Sequence, residues 1–256
     1  MDAIVTAGGI PLPEDPLYAY TEGHSKALLE IAGKPMIQWV LDALSAAQKV
    51  DNVILIGVSP KNGLTCSKPL HFLPNEGRML ANIVAGVNQS LALNPQTERV
   101  LIVSSDIPAI SGEMVDWLVT AIEKDPADIY YGVIPREVME KRYPDSRRTW
   151  TPLKDLEVCG ADINATHVRM ATEHLEMWEA LIGNRKSPLR QAATIGLGTL
   201  FLVALRRLTL TELVTRVCSR IGIEGRAIVW PWAEAGMDVD KPHQLEIMRA
   251  DLEKRN

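Results

Sequence analysis

The order of apolar runs in this chain predicts an α/β protein, a Rossmann-like three-layer α/β/α sandwich built on a mostly parallel sheet. Three observations carry that reading. Ala3 to Ala7 is a short, apolar, β-rich run that ends in Gly8-Gly9. Comparable runs recur at Val53 to Val58 and at Val100 to Val103. Each run is followed by apolar residues at helical spacing, and such alternation is the signature of parallel strands joined by crossover helices.

Ala3–Ala7 reads as a buried strand that opens into a loop rich in proline (Pro11, Pro13, Pro16). Gly33-Lys34-Pro35 then leads into Met36, Ile37, Val40, Leu41 and Leu44, a helix with Pro35 in its first turn. Val53–Val58 is the second strand, and Leu80, Ile83, Val84, Val87 and Leu91 mark a helix over Met79–Leu93. Val100–Val103 runs into Ser104-Ser105-Asp106, Ser111 caps a helix carrying Met114, Val115, Leu118, Val119 and Ile122 inward, and Ile129–Ile134 is a fourth strand. From Pro135 to Pro152 the chain turns polar and basic (Arg136, Lys141, Arg142, Arg147, Arg148), which reads as an insertion outside the sheet and a candidate lid over 135–155. Beyond it come helices at His174–Gly183 and Thr211–Arg220, a strand at Ala227–Trp230, and a terminal helix bearing Leu245, Ile247, Met248 and Leu252. One domain over 1–256 is the expectation, with an apolar helical segment at about 190–220.

Composition narrows the function classes. With 27 basic and 32 acidic residues the formal charge is -5, so no surface for nucleic-acid phosphates is indicated. Cys66, Cys159 and Cys218 are odd in number and far apart, which suits reduced thiols in the cytoplasm. The opening Met1-Asp2 lacks the basic start of a signal peptide. Ala192–Leu205 is apolar, yet short of the ~20 residues that span a bilayer. A buried helix is the plainer reading of it, and an interfacial helix touching lipid the sharper one.

Three features are candidates for chemistry. In an open α/β sheet ligands sit at the carboxyl ends of the strands, which points to Gly8-Gly9 and Asp106. Gly8 and Gly9 offer backbone N–H groups unobstructed by side chains, with Lys26 further on as a point charge for phosphates, although a Gly pair after a strand is also an ordinary tight turn. Asp106, just past a buried strand, is placed to hold a hard cation such as Mg2+, or merely to close an Asp-Ile-Pro turn. Asp238 and Asp240 share one side of an extended segment, while Asp240 also reads as a helix cap. In Cys159-Gly160-Ala161-Asp162-Ile163-Asn164, the small Gly160 lets an acceptor approach the backbone, with Asp162 or Asn164 orienting it, and a plain strand-turn competes with that reading.

Ala7-Gly8-Gly9, Lys26-Ala27-Leu28-Leu29 and Ile31-Ala32-Gly33-Lys34-Pro35-Met36-Ile37 closely resemble the N-terminal signature of the MobA-like and sugar-phosphate nucleotidyltransferases. Ser105-Asp106-Ile107-Pro108 and Asp238-Val239-Asp240-Lys241-Pro242 resemble that family's two metal-binding aspartate segments. The resemblance covers residues 1–125 and returns at 236–250. It implies a glycosyltransferase-A-like fold and transfer of an NMP from an NTP to a phosphorylated small-molecule acceptor, with release of pyrophosphate. It also implies Mg2+ on Asp106, Asp238 and Asp240, with catalysis resting on Lys26, Asp106 and Asp240. Nucleotide contacts would come from Ala7, Gly8, Gly9 and Lys26, and base and ribose contacts from Asn75, Glu76, Gly77 and Asn82.

One departure stands out. The family's loop carries an Arg between the Gly pair and the Lys, whereas Ile10–Ser25 holds none; His24 is a partial substitute with fewer donors. A nucleotide-sugar-dependent glycosyltransferase and a non-catalytic nucleotide-binding protein therefore stand as alternatives. A dinucleotide-dependent dehydrogenase is disfavoured, since no G-x-G-x-x-G opens a helix after the first strand. The base, the acceptor and the oligomeric state, a homodimer included, are not legible.

Overall fold

A computed structural model describes residues 1–173, 175 and 196–255. β1 (Asp2–Thr6) lies between two parallel neighbours, so both its faces are covered: Ala3 and Val5 enter one hydrophobic cluster and Ile4 the other. That is why the run is continuously apolar rather than alternating. A two-residue hairpin, Glu30–Ile31 against Lys34–Pro35, then turns the chain into α1 (Met36–Ala46), whose Met36, Ile37, Val40, Leu41 and Leu44 are buried.

β2 (Val53–Ile56) is followed by β3 (Leu70–Leu73), a half-buried strand that pattern reading passed over because four residues give too little alternation to register. α2 (Met79–Leu93) crosses back to β4 (Arg99–Ser104), and α3 (Gly112–Lys124) starts where Ser111 accepts a bond from the Met114 N–H. β5 (Ile129–Pro135) leads into α4 (Arg136–Arg142), then β6 (Thr151–Pro152), β7 (Glu157–Gly160) and β8 (Ile163–His167). The chain closes with α5 (Leu197–Ala204), α6 (Leu210–Ile221), β9 (Gly225–Val229) and α7 (Pro242–Leu252).

The sheet runs β3-β2-β1-β4-β8-β5-β7-β6, with β9 also on β5. β3, β2, β1 and β4 are mutually parallel, as expected; beyond β4 the pairing turns antiparallel, apart from β9 on β5. Helices cover both faces, α1, α3 and α7 on one cluster and α2 on the other. β7 and β8 succeed one another along β5, with Gly160 opposite Val133 and Ala165 opposite Tyr130. Five residues against three means that the strand bulges at Ala161-Asp162, the device by which sheets re-aim a side chain.

Two other expectations turn out differently in the fold. The basic segment 135–155 contains α4 and the edge strand β6, so part of it joins the sheet; Pro152 is tolerated there because an edge strand can do without its N–H. Of the apolar segment, 192–195 lie outside the described residues, as does the helix expected from His174 to Gly183 apart from Leu175. The rest, α5, buries none of its residues, which overturns the buried-helix reading; Leu197, Phe201 and Leu205 are exposed at helical spacing. No helix among the described residues is long and apolar enough to cross a membrane.

Candidate active site

The site lies where β1, β2 and β4 end. Gly57, just past β2, takes φ +99°, and a Cβ there would fall 2.5 Å from the Gly8 nitrogen and Cα. Two backbones therefore touch, which only a residue without a side chain allows. Gly8 is pressed from the other side, since its own Cβ would meet the Asn75 amide at 2.7 Å. Asn75 Nδ2 donates to the Gly8 carbonyl, and its Oδ1 accepts from Gly77 N and from Asn82 Nδ2. Asn82 Oδ1 accepts from Glu76 N. The two asparagines thus spend their polar atoms holding the 75–78 turn against the glycine pair.

Lys26 is tied to this turn through its own backbone, its N–H donating to the Gly9 carbonyl at 3.0 Å, while Ser25 Oγ donates to the Ala7 carbonyl. Its side chain runs to the centre of the site. Nζ donates to Asp106 Oδ2 at 2.6 Å and to Asp240 Oδ1 at 2.5 Å. The two carboxylates, 134 positions apart in sequence, share one ammonium ion. Their backbones are coupled as well, because Val239 N donates to the Asp106 carbonyl. The remaining Asp106 oxygen accepts from Ser104 Oγ, so the carboxylate is not spent on closing a turn. Nor does Asp240 cap α7: the N-cap position is Lys241, and the Gln244 side chain reaches back to the Asp240 N–H.

A second charge group adjoins the first. Arg148 donates to Asp238 and approaches Asp162 at 3.9 Å. The bulge delivers Asp162 here, its carbonyl accepting from Ser104 N and its N–H donating to the Ala235 carbonyl. Four carboxylates thus gather around two cations, and the protonation of Asp162, Asp238 and Asp240 is displaced from the ordinary range. Burial pushes Asp238 up to about 7, against the pull of Arg148 and with the repulsion of Asp106 and Asp240. Loss of water, with repulsion from Asp238 and Asp106, holds Asp162 well above the usual carboxylate range. Burial disfavours the charge on Lys26, but Asp106 and Asp240 outweigh it and raise its pKa; Lys26 in turn holds Asp240 below the ordinary range despite burial.

A cleft of about 310 Å³ opens beside this centre, bordered by Gly8, Gly9, Lys26, Asn75, Gly77, Asn82 and Asp106. All but Asp106, a metal-binding and catalytic candidate, are expected from the sequence on a nucleotide. Glu76 is exposed and Ala7 is buried; neither borders the cleft, although both sit next to residues that do. Of the three aspartates expected to share a metal, Asp106 and Asp240 meet on Lys26, while Asp238 is ion-paired with Arg148 and also hydrogen-bonded to Asp240. Gly160 lies at the bulge beside Asp162, whereas Asn164 is consumed locally, accepting from Gly132 N and donating to the Ala161 carbonyl. Sequence reading passed over Gly57, Arg78 and Arg148. Gly57 breaks the apolar run Val53–Val58, a signal of close backbone approach, and Arg148 lay hidden among other basic residues.

A polar cleft at the carboxyl ends of parallel strands, with a lysine shared by two aspartates at its floor, has the chemistry of a site for a phosphorylated, nucleotide-like ligand. The model of the MobA-like NTP transferase domain matches residues 20–192, and the chain belongs to that family of nucleotidyltransferases. A hypothetical transferase from Thermus thermophilus is 31% identical, with a TM-score of 0.82 over 95% of this chain and 98% of that one. A probable molybdenum cofactor guanylyltransferase from Thermococcus gammatolerans is 26% identical over 135 residues, 47% of this chain and 68% of that protein. CMP:2-keto-3-deoxy-manno-octonic acid synthetase, solved with CTP, shares the fold with a TM-score of 0.63 at 17% identity, over 100% of this chain and 99% of that one.

Proposed function

We propose that the protein is a magnesium-dependent cytoplasmic enzyme that joins the NMP of an NTP to a phosphorylated small-molecule acceptor, releasing pyrophosphate. The carrying observation is the convergence of Asp106 and Asp240 on one ammonium beside the Gly8-Gly9 turn. An acceptor phosphate oxygen forms the new bond to the α-phosphorus, and the bond from that phosphorus to pyrophosphate breaks. Gly8 and Gly9 N–H groups face the phosphates, Lys26 neutralises their charge, and the bulge at Gly160–Asp162 borders the acceptor.

The donor set fits a hard divalent cation in chemistry. Carboxylate oxygens are the ligands such ions take, and the four aspartates exceed the two cations among them. Among the described residues no three acidic, His or Cys side chains form a ready ligand set, and Asp238 is ion-paired with Arg148. Asp106 and Asp240 are therefore the pair that would hold the ion, with Lys26 released toward the phosphates. When bound, Mg2+ would supply charge neutralisation at the α-phosphate.

The experiment pairs each NTP with phosphorylated sugars, alditols and cofactor precursors, reading pyrophosphate release with magnesium. One pairing should turn over, and Asp106→Asn should lower its rate ~100-fold or more with the fold intact. Equal rates in parent and variant would remove the carboxylate centre from the mechanism. NTP binding without pyrophosphate release across the panel would favour a binding protein instead.

A further inference from the structure

Two cations border the cleft, Lys26 and Arg78. They are in opposite states. Lys26 is engaged by two carboxylates, whereas no ion pair joins Arg78 to any acidic group among the described residues. Most other arginines that can be compared are paired, Arg99, Arg136, Arg142, Arg148, Arg169, Arg226, Arg249 and Arg255 among them. Arg78 is exposed and stands immediately before α2, at a helix start with no side-chain cap. Arg78 follows Gly77, which takes φ +78°, and lies on the cleft wall between the hydrogen-bonded Asn75 and Asn82, its carbonyl accepting from Asn82 N. By contrast the loop 10–25 holds no arginine, and its His24 does not border the cleft.

We propose that Arg78 holds the β- and γ-phosphates of the bound NTP and stabilises the departing pyrophosphate, a role the glycine loop here has no guanidinium to fill. The inference rests on the nucleotidyltransferase reading. If the α-phosphate lies at Asp106 and Asp240 and Lys26 moves onto the phosphates, a single ammonium leaves most of the terminal phosphates' charge uncompensated, and Arg78 is the cleft's other cation. Its planar fork of donors suits bidentate contact with phosphate oxygens, and the exposed N–H groups at the start of α2 add to the same field.

The test is equilibrium binding of each NTP and its NMP to the full chain, with parent, Arg78→Ala, Arg78→Lys and His24→Ala compared. For the NTP that the parent binds, Arg78→Ala should weaken affinity at least about tenfold, the scale of one charge-assisted hydrogen bond. NMP affinity should stay within about twofold of the parent, Arg78→Lys should fall between, and His24→Ala should match the parent. An unchanged Kd for the NTP in Arg78→Ala overturns the inference alone. Equal weakening of NTP and NMP overturns it too, since it would place Arg78 on the nucleoside or in the fold. Failure of the parent to bind any NTP overturns the nucleotidyltransferase reading and this inference with it.

Discussion

The parallel strands β3, β2, β1 and β4 and the antiparallel group β8, β5, β7 and β6 meet along one line, where β4 pairs with β8. They build the site by different means. The parallel half works through residues just past the end of each strand: Gly8 after β1, Gly57 after β2, Asn75 after β3 and Asp106 after β4. Its geometry depends on backbone contact, with little tolerance for added atoms. The antiparallel half works through an interruption, the bulge that delivers Asp162, and through a buried ion pair that fixes Asp238. Under the proposed function, a site split in this way would give the nucleotide a local cradle and leave the acceptor a surface assembled from distant segments.

The largest effect is expected in the second half. Arg148 and Asp238 are only 15% and 10% exposed at the side chain, so removing one partner strands the other's charge. Arg148→Met should cost about 3–5 kcal/mol in urea unfolding, while the double variant with Asp238→Asn recovers much of that loss. If the double variant is no more stable than the single one, the pair is not what secures this half. In the first half, Gly57→Ala puts a Cβ into the Gly8 backbone at a positive φ. It should cost roughly 2–4 kcal/mol and abolish nucleotide binding even where the protein remains folded. Retained NTP affinity in folded Gly57→Ala would show that the cradle is more compliant than its contacts indicate.

The same division explains what was legible in the residues. Lys26, Asp106 and Asp240 stand out because each lies beside a locally recognisable element, and the parallel half repeats one pattern of apolar run, turn and helical spacing. The antiparallel half offers no such repeat. β8 reads Ile-Asn-Ala-Thr-His, too polar to announce a central strand, and it becomes one only because β4 and β5 flank it. Asn164 looks available to a ligand in sequence, yet the bulge leaves the Gly132 N–H in need of an acceptor and Asn164 supplies it. Arg148 could not be singled out from Arg147 beside it, since only the fold decides which of the two turns inward.

The smallest effect concerns the junction behind the site, where the antiparallel half is anchored. Asp128 is buried just before β5 and holds three segments together. Its Oδ2 accepts from Glu224 N at 2.9 Å, ahead of β9, and its Oδ1 accepts from Arg169 Nε at 2.6 Å, beyond β8. Burial alone would raise its pKa; the Glu224 N–H and Arg169 outweigh that and hold it below the ordinary value. A carboxyl depressed by folding contributes stability that is fully present above its unfolded pKa of about 3.9 and is lost as pH falls through the folded value. Arg169 is nearly half exposed, so water screens its share and the backbone bond carries most of the effect. Asp128→Asn should therefore cost only ~1–2 kcal/mol at pH 7, and the gap to the parent should narrow as pH falls below about 3.9. Urea unfolding of both proteins from pH 7 to pH 3 measures it, and a gap that stays constant or widens toward acid would mean that the charge on Asp128 does not anchor the junction.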